Sequence, residues 1–168
     1  MPDRRLVLVR HAQAGDAPTD RDRPLTERGR QQAAAVGEWL AAAGIAPDRV
    51  LVSPARRALQ TWDRLRMALD GAPEAQADER IYDNTVDGLV EVLRESGPDV
   101  QTVLLVGHNP AVGTLAHVLD DGEGSRPARE ALAAGFPPAS AAVFDVGMPF
   151  AELDEGSATL VDLDVAHA

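Results

Sequence analysis

The sequence predicts an α/β domain of three layers, with helices on both faces of a sheet. Three observations predict it. Leu6-Val7-Leu8-Val9, Val50-Leu51-Val52 and Val103-Leu104-Leu105-Val106 are short, unbroken apolar runs, as expected of strands buried on both faces of a parallel sheet. Helical patterns stand between them. Each run also ends in residues able to do chemistry: Arg10-His11, Ser53 with Arg56 and Arg57 close behind, and His108 after Gly107. Open α/β sheets bind ligands at the carboxyl ends of their strands.

The elements follow in order. After the first strand comes a polar loop, 13–24, rich in Asp and Pro. A helix follows, capped by Thr26 and ended at Gly44, with Val36, Trp39 and Leu40 as its larger apolar anchors. The second strand leads through Ser53-Pro54 into another helix. Ser53 reads as its N-cap and Pro54 as its first residue. Ala58, Leu59, Trp62 and Leu65 give that helix an apolar stripe. Residues 71–77 read as a loop and 79–82 as a short strand. A helix over 86–95 presents Leu89, Val90, Val92 and Leu93. The third apolar run, 102–106, is followed by Asn109-Pro110 and a helix carrying Val112, Leu115 and Leu119. Residues 120–134 read as irregular, either a lid or a surface loop. The runs 141–145 and 158–163 read as an antiparallel pair at one sheet edge. No repeat or linker interrupts the chain, so 1–168 is expected to be one domain.

Composition narrows the function. The apolar fraction, 45%, is that of a globular protein, which argues against a disordered chain. The net charge of −11 argues against a nucleic-acid or anionic-membrane partner. There is no lysine, so an arginine outside a motif carries little information. There is no cysteine, which excludes disulfides, thiol nucleophiles and cysteine metal sites. No apolar run approaches the about 18 residues that would span a bilayer, and no signal peptide is visible. A cytoplasmic enzyme is the expected class. The oligomeric state is not legible.

A histidine that attacks phosphorus must be neutral on the attacking nitrogen, with the other nitrogen held by an acceptor. Fixed cations must grip the phosphoryl oxygens, and arginine's planar fork meets two at once. His11 is the candidate nucleophile. Arg10 and Arg57 are candidate clamps, and the amino end of the helix bearing Arg57 adds a favourable dipole. His108 is a candidate donor to an oxygen. Arg23, or else Arg21, offers a third arginine contact. Each of these residues alone has an ordinary structural explanation. Their coincidence at the ends of three strands is what points to a site.

On these residues the chain resembles the histidine phosphatase, or phosphoglycerate-mutase-like, superfamily. Leu8-Val9-Arg10-His11 is similar to its signature, whose histidine is transiently phosphorylated. Ser53-Pro54-Ala55-Arg56-Arg57-Ala58-Leu59-Gln60-Thr61 is similar to its Ser-Pro-x-x-Arg-Ala-x-Gln-Thr segment, which places the family arginine on Arg57. Val106-Gly107-His108-Asn109-Pro110 is similar to the segment bearing its second histidine. Leu25-Thr26-Glu27-Arg28-Gly29 matches the motif that opens its first helix. The short chain, Arg-His-Ala-Gln-Ala at 10–14 and Asn109-Pro110 are most similar to the SixA-like branch of phosphohistidine phosphatases. The resemblance implies an α/β/α sandwich, a mostly parallel sheet with an antiparallel edge strand, and no cofactor or metal. It implies catalysis by His11, Arg10, Arg57 and His108. It also implies a phosphorylated protein, or a small phosphorylated molecule, as substrate.

One departure concerns the general acid that many members carry near mid-chain. The corresponding stretch reads Tyr82-Asp83-Asn84-Thr85-Val86-Asp87, with no glutamate motif. Asp83 is the local candidate, although a helix N-cap role suits Asp83 or Thr85 better. SixA-like members resemble this chain in the gap. A phosphohistidine can release neutral imidazole once its ring is protonated, so a strong enzymic acid is less necessary.

The leading expectation is a metal-independent phosphatase working through phosphohistidine. The alternatives are a small-molecule phosphomonoesterase, a mutase, a non-catalytic phosphate-binding module, and a metallohydrolase built from His11, His108 and loop aspartates. Asp16, Asp20 and Asp22 read more simply as a solvated loop that repels highly anionic substrates. His117 and His167 are expected to lie outside the chemistry, and Trp39 and Trp62 to be core anchors.

Overall fold

The computed structural model describes residues 4–165. Six strands form one sheet in the order β3-β2-β4-β1-β5-β6. They are β1 (Arg4–Arg10), β2 (Arg49–Val52), β3 (Ala75–Ala77), β4 (Thr102–Gly107), β5 (Ala141–Val146) and β6 (Ala158–Asp164). The first four run parallel. β5 lies antiparallel to β1, and β6 antiparallel to β5. The antiparallel strand is therefore next to the edge, and β6 closes that edge.

The apolar runs are explained by what covers the sheet. Along β1, Leu6 and Leu8 face one side while Val7 and Val9 face the other, and all four are fully buried. The second side is covered by α1 (Glu27–Ala42) and α2 (Arg56–Leu65), through Val36, Leu40, Ala58, Trp62 and Leu65. The first is covered by α4 (Val86–Arg94), α5 (Ala111–Leu119) and α6 (Arg126–Ala134), through Leu89, Leu93, Val112, Leu115 and Leu132. This is the expected α/β/α sandwich. Trp62 is a core anchor; Trp39 only packs against the core's margin.

The caps agree with the sequence at two helices. Thr26 accepts from the Gly29 N–H and Thr85 from the Gly88 N–H, each at 3.0 Å. Gly29 is also obligatory for space. A Cβ there would stand 2.1 Å from the Gln13 carbonyl oxygen, where α1 is pressed against the strand's exit.

Three expectations are corrected. Ser53-Pro54 does not open α2: its N-cap is Ala55, and Ser53 turns its hydroxyl to His108 instead. Residues 75–77, expected as loop, form a strand, and 79–82, expected as a strand, form a helical turn, α3 (Glu79–Tyr82). The strand exists because it pairs with β2, not because its residues favour it. Residues 126–134 are not irregular. Ser125 accepts from the Ala128 N–H at 3.3 Å, Pro127 sits in the first turn, and Ala128 and Leu132 are buried. The 120–134 segment is thus part of the packed body rather than a lid.

Candidate active site

Strand register alone brings the two histidines together. Arg10 pairs with Gly107 across β1 and β4, so His11 and His108 are the next residues at neighbouring strand ends. The His11 N–H donates to the Gly107 carbonyl at 3.0 Å, and the Ser53 N–H to the Val106 carbonyl at 3.1 Å. The imidazole centroids stand 5.1 Å apart, with the rings tilted by 58°. The loop after His11 is latched to α2. Thr61 accepts from the Ala12 N–H at 3.0 Å and Gln60 from the Leu25 N–H at 2.8 Å. The Gln-Thr pair of the sequence motif thus sets the depth of His11 against the helix that carries Arg57.

His11 has the form a nucleophile needs. Its Nδ1 is 2.8 Å from the Ala12 carbonyl oxygen. A carbonyl only accepts, so Nδ1 carries the proton and Nε2 the lone pair. Burial pushes its pKa down to about 4. The Ala12 bond opposes that shift, while Arg57, Arg10 and Arg23 add to it. His108 is lowered to about 3, first by burial and then by His11 and Arg57. Both rings are neutral near neutral pH. Neutrality strengthens one as a nucleophile and leaves the other a neutral donor.

Five side-chain polar atoms are buried without a partner among the described residues, and three of them belong to this cluster: Arg10 Nε, Arg57 Nε and His108 Nδ1. Buried polar groups normally find partners. Three unpartnered polar atoms in one cluster, two of them arginine N–H donors, are suited to an oxyanion. Arg10 Nη1 donates to the Phe136 carbonyl at 3.2 Å. Arg57 Nη1 and Nη2 are taken by Asp20. Each arginine is therefore tied at its far end while its Nε remains free.

Arg10, His11, Arg57 and His108 lie close together, the two rings 5.1 Å apart and both arginine charges acting on both rings. Arg23 lies beside them, donating to the Gly15 carbonyl and to Asp20, and its charge is felt at His11. Arg21 instead pairs with Glu79. Asp83 is exposed at the end of α3, with no hydrogen bond or ion pair to the cluster. His117 is exposed on α5, and His167 lies outside the described residues. Among the described residues, no three His, Cys, Asp or Glu side chains are grouped to hold a metal ion. No helix there is long and apolar enough to cross a membrane.

Residues that sequence reasoning missed complete the surroundings. Ser53 bonds His108, Asp20 bonds Arg57, and Tyr82 meets the His108 ring edge-on at 5.8 Å. Asn84 braces the turn after His108. The Ser53 and Asn84 contacts join residues distant in sequence, and no local pattern announces them.

A neutral histidine flanked by arginines at the carboxyl edge of a parallel sheet defines an enzyme of phosphoryl transfer. Residues 6–85 match the profile of the histidine phosphatase superfamily (branch 1). An uncharacterized protein of Mycobacterium tuberculosis is 38% identical over 160 residues, spanning 94% of this chain and 99% of that protein. The phosphohistidine phosphatase SixA of Escherichia coli is 32% identical over 121 residues, covering 70% of this chain and 75% of SixA. A solved structure from Nakamurella multipartita, described as a SixA phosphohistidine phosphatase, superposes with a TM-score of 0.88 at 30% identity and covers 100% and 99% of the two chains. The chain belongs to the histidine phosphatase superfamily, in its SixA-like branch, and is a phosphatase.

Proposed function

We propose that this phosphatase removes the phosphoryl group from phosphohistidine on proteins, without a metal, through a phosphohistidine of its own at His11. Nε2 of His11 attacks phosphorus in line as the N–P bond to the substrate imidazole breaks, and the substrate ring, already protonated by solvent on its other nitrogen, leaves as neutral imidazole. Arg10, Arg57 and His108 hold the phosphoryl oxygens as their charge redistributes. Water then cleaves the new N–P bond, releasing phosphate and regenerating His11. The presence of three unpartnered polar atoms, Arg10 Nε, Arg57 Nε and His108 Nδ1, in the cluster of a neutral histidine carries this reading.

The substrate class is supported by the packing of 126–134. A site capped by residues 120–136 would suit a small molecule, and of that segment the Phe136 carbonyl oxygen meets Arg10 Nη1 at 3.2 Å. Its helix instead packs on α5 and β6, with Leu132 in the core. Asp83, the general-acid candidate of the sequence, makes no bond to the cluster, as suits a leaving group that needs little acid assistance.

The test is a substrate panel with metal chelated: a phosphohistidine protein against sugar phosphates and nucleotides. The phosphohistidine protein should turn over fastest, with a phosphorylated enzyme trapped by acid quench. His11→Ala should abolish both turnover and trapping while the fold survives. Faster turnover of a sugar phosphate would overturn the substrate assignment, and an active His11→Ala enzyme would overturn the mechanism.

A further inference from the structure

One residue occupies the whole outer end of the Arg57 guanidinium. The main-chain oxygen of Asp20 accepts from Nη1 at 2.8 Å, and its Oδ2 accepts from Nη2 at 3.1 Å. Nε stays buried with no acceptor in the protein. A guanidinium offers an end-on and a side-on fork. Asp20 takes the first, which leaves the side-on fork through Nε for a phosphoryl group.

The carboxylate is held in its turn. The Tyr82 hydroxyl donates to the same Oδ2 at 2.7 Å, and Arg23 Nη1 to Oδ1 at 3.2 Å. Arg21 covers the Tyr82 ring at 4.6 Å and forks onto Glu79 at 2.6 and 3.0 Å. The Tyr82 bond, helped by Arg57 and Arg23, holds the Asp20 carboxyl down to about 2, so it is charged at any working pH. Asp20 is 52% exposed, on a single turn of 3₁₀ helix at 20–22, and its side chain adds little to the core.

We propose that Asp20 is a positioning residue for Arg57, with Tyr82 as the bolt that fixes it. It holds the long arginine side chain ready, so that less freedom is lost when an oxyanion binds. This rests on the reading that Arg57 grips phosphoryl oxygens. The opposing reading is that the carboxylate competes with the oxyanion for Arg57. The two predict opposite signs.

The experiment uses the full chain and orthovanadate as probe. Asp20→Ala should stay folded, bind vanadate about tenfold more weakly and lose about tenfold in kcat/KM. Tyr82→Phe should lose less, and should add nothing in the Asp20→Ala background because it acts through that carboxylate. Vanadate bound by Asp20→Ala as tightly as by the wild type, or more tightly, overturns the proposal. So does a Tyr82→Phe loss that persists in the double variant. Arg57→Ala separates the two levels. If it weakens vanadate while Asp20→Ala does not, only the positioning role fails; if it has no effect, the reading of the site itself fails.

Discussion

Ser53 Oγ lies 2.8 Å from Nε2 of His108, and the same oxygen accepts the Ala55 N–H at 3.2 Å. Were Nε2 protonated, the buried Ser53 hydroxyl would have no acceptor for its own proton among the described residues, so the hydroxyl donates to Nε2. The neutral ring then carries its proton on Nδ1, the nitrogen without a protein partner. Ser53→Ala removes this tautomer choice and leaves Nε2 buried and unpaired. We expect a loss of about tenfold in kcat/KM, equal to about 1.4 kcal/mol of transition-state stabilisation. Ser53→Thr should restore most of it. Steady-state kinetics on the three proteins check this; an Ala variant at wild-type rate would refute the tautomer argument.

The pH dependence follows from the two depressed imidazoles. His11 titrates at about 4, not near 6.5, chiefly because it is buried. Once the substrate's own ionisation is divided out, kcat/KM should hold level through 6.5 and fall only as the pH nears 4. Stability has the same sign. Between 4 and 6.5 the unfolded chain binds protons that the folded His11 refuses, so stability rises with pH across that window. It is full above 6.5 and is lost progressively toward 4. His108, lowered to about 3, extends the loss further down. Urea midpoints across this range, for the wild type and His11→Asn, should differ in slope. Equal slopes would show that His11 titrates normally.

Asp83 offers a sharp contrast. It is exposed and bonded to nothing in the cluster. With an imidazole leaving group, Asp83→Asn should stay within about twofold of the wild type on a phosphohistidine protein, as expected of a substitution at a free surface position. The comparison is a kcat measurement on that substrate. A large loss would make Asp83 the general acid after all.

The parts of this molecule legible in sequence share one property: the pattern that signals them is local. Leu6 to Val9 reads as a doubly buried strand because both faces of β1 are covered. His11 and His108 read as neighbours because each ends such a strand. What escaped notice depends on partners far along the chain. The strand at 75–77 has no strand-forming residues and exists by pairing with β2. Ser53 reads as a cap until His108 is seen to claim it. Asp20 lies 37 residues from Arg57, in a loop whose acidity suggested only solvation. The helix at 126–134 does carry local signals. Ser125, Pro127 and the Arg126–Glu130 pair mark it, set among Gly122, Gly124 and Gly135.

Asn84 joins local conformation to the site. Its backbone is in the left-handed region, with φ of 62°. Its carboxamide donates to the Asn109 carbonyl at 2.8 Å and accepts from the Ala111 N–H at 3.1 Å, across the turn that follows His108. Asparagine tolerates that conformation better than most residues with a side chain. Asn84→Gly keeps the backbone free to adopt it but removes both bonds, at about 1 kcal/mol each. Asn84→Ala removes both bonds and also forces a Cβ into the left-handed region, a further cost of about 1 kcal/mol. Denaturant unfolding should therefore rank the proteins wild type, then Gly, then Ala. Activity should behave differently. The turn that carries His108 loses the same two braces in both variants, so kcat/KM should fall by a similar factor in each. If Ala proves as stable as Gly, the backbone is not strained at this position. If stability falls while kcat/KM is untouched, the brace supports the fold without setting the position of His108.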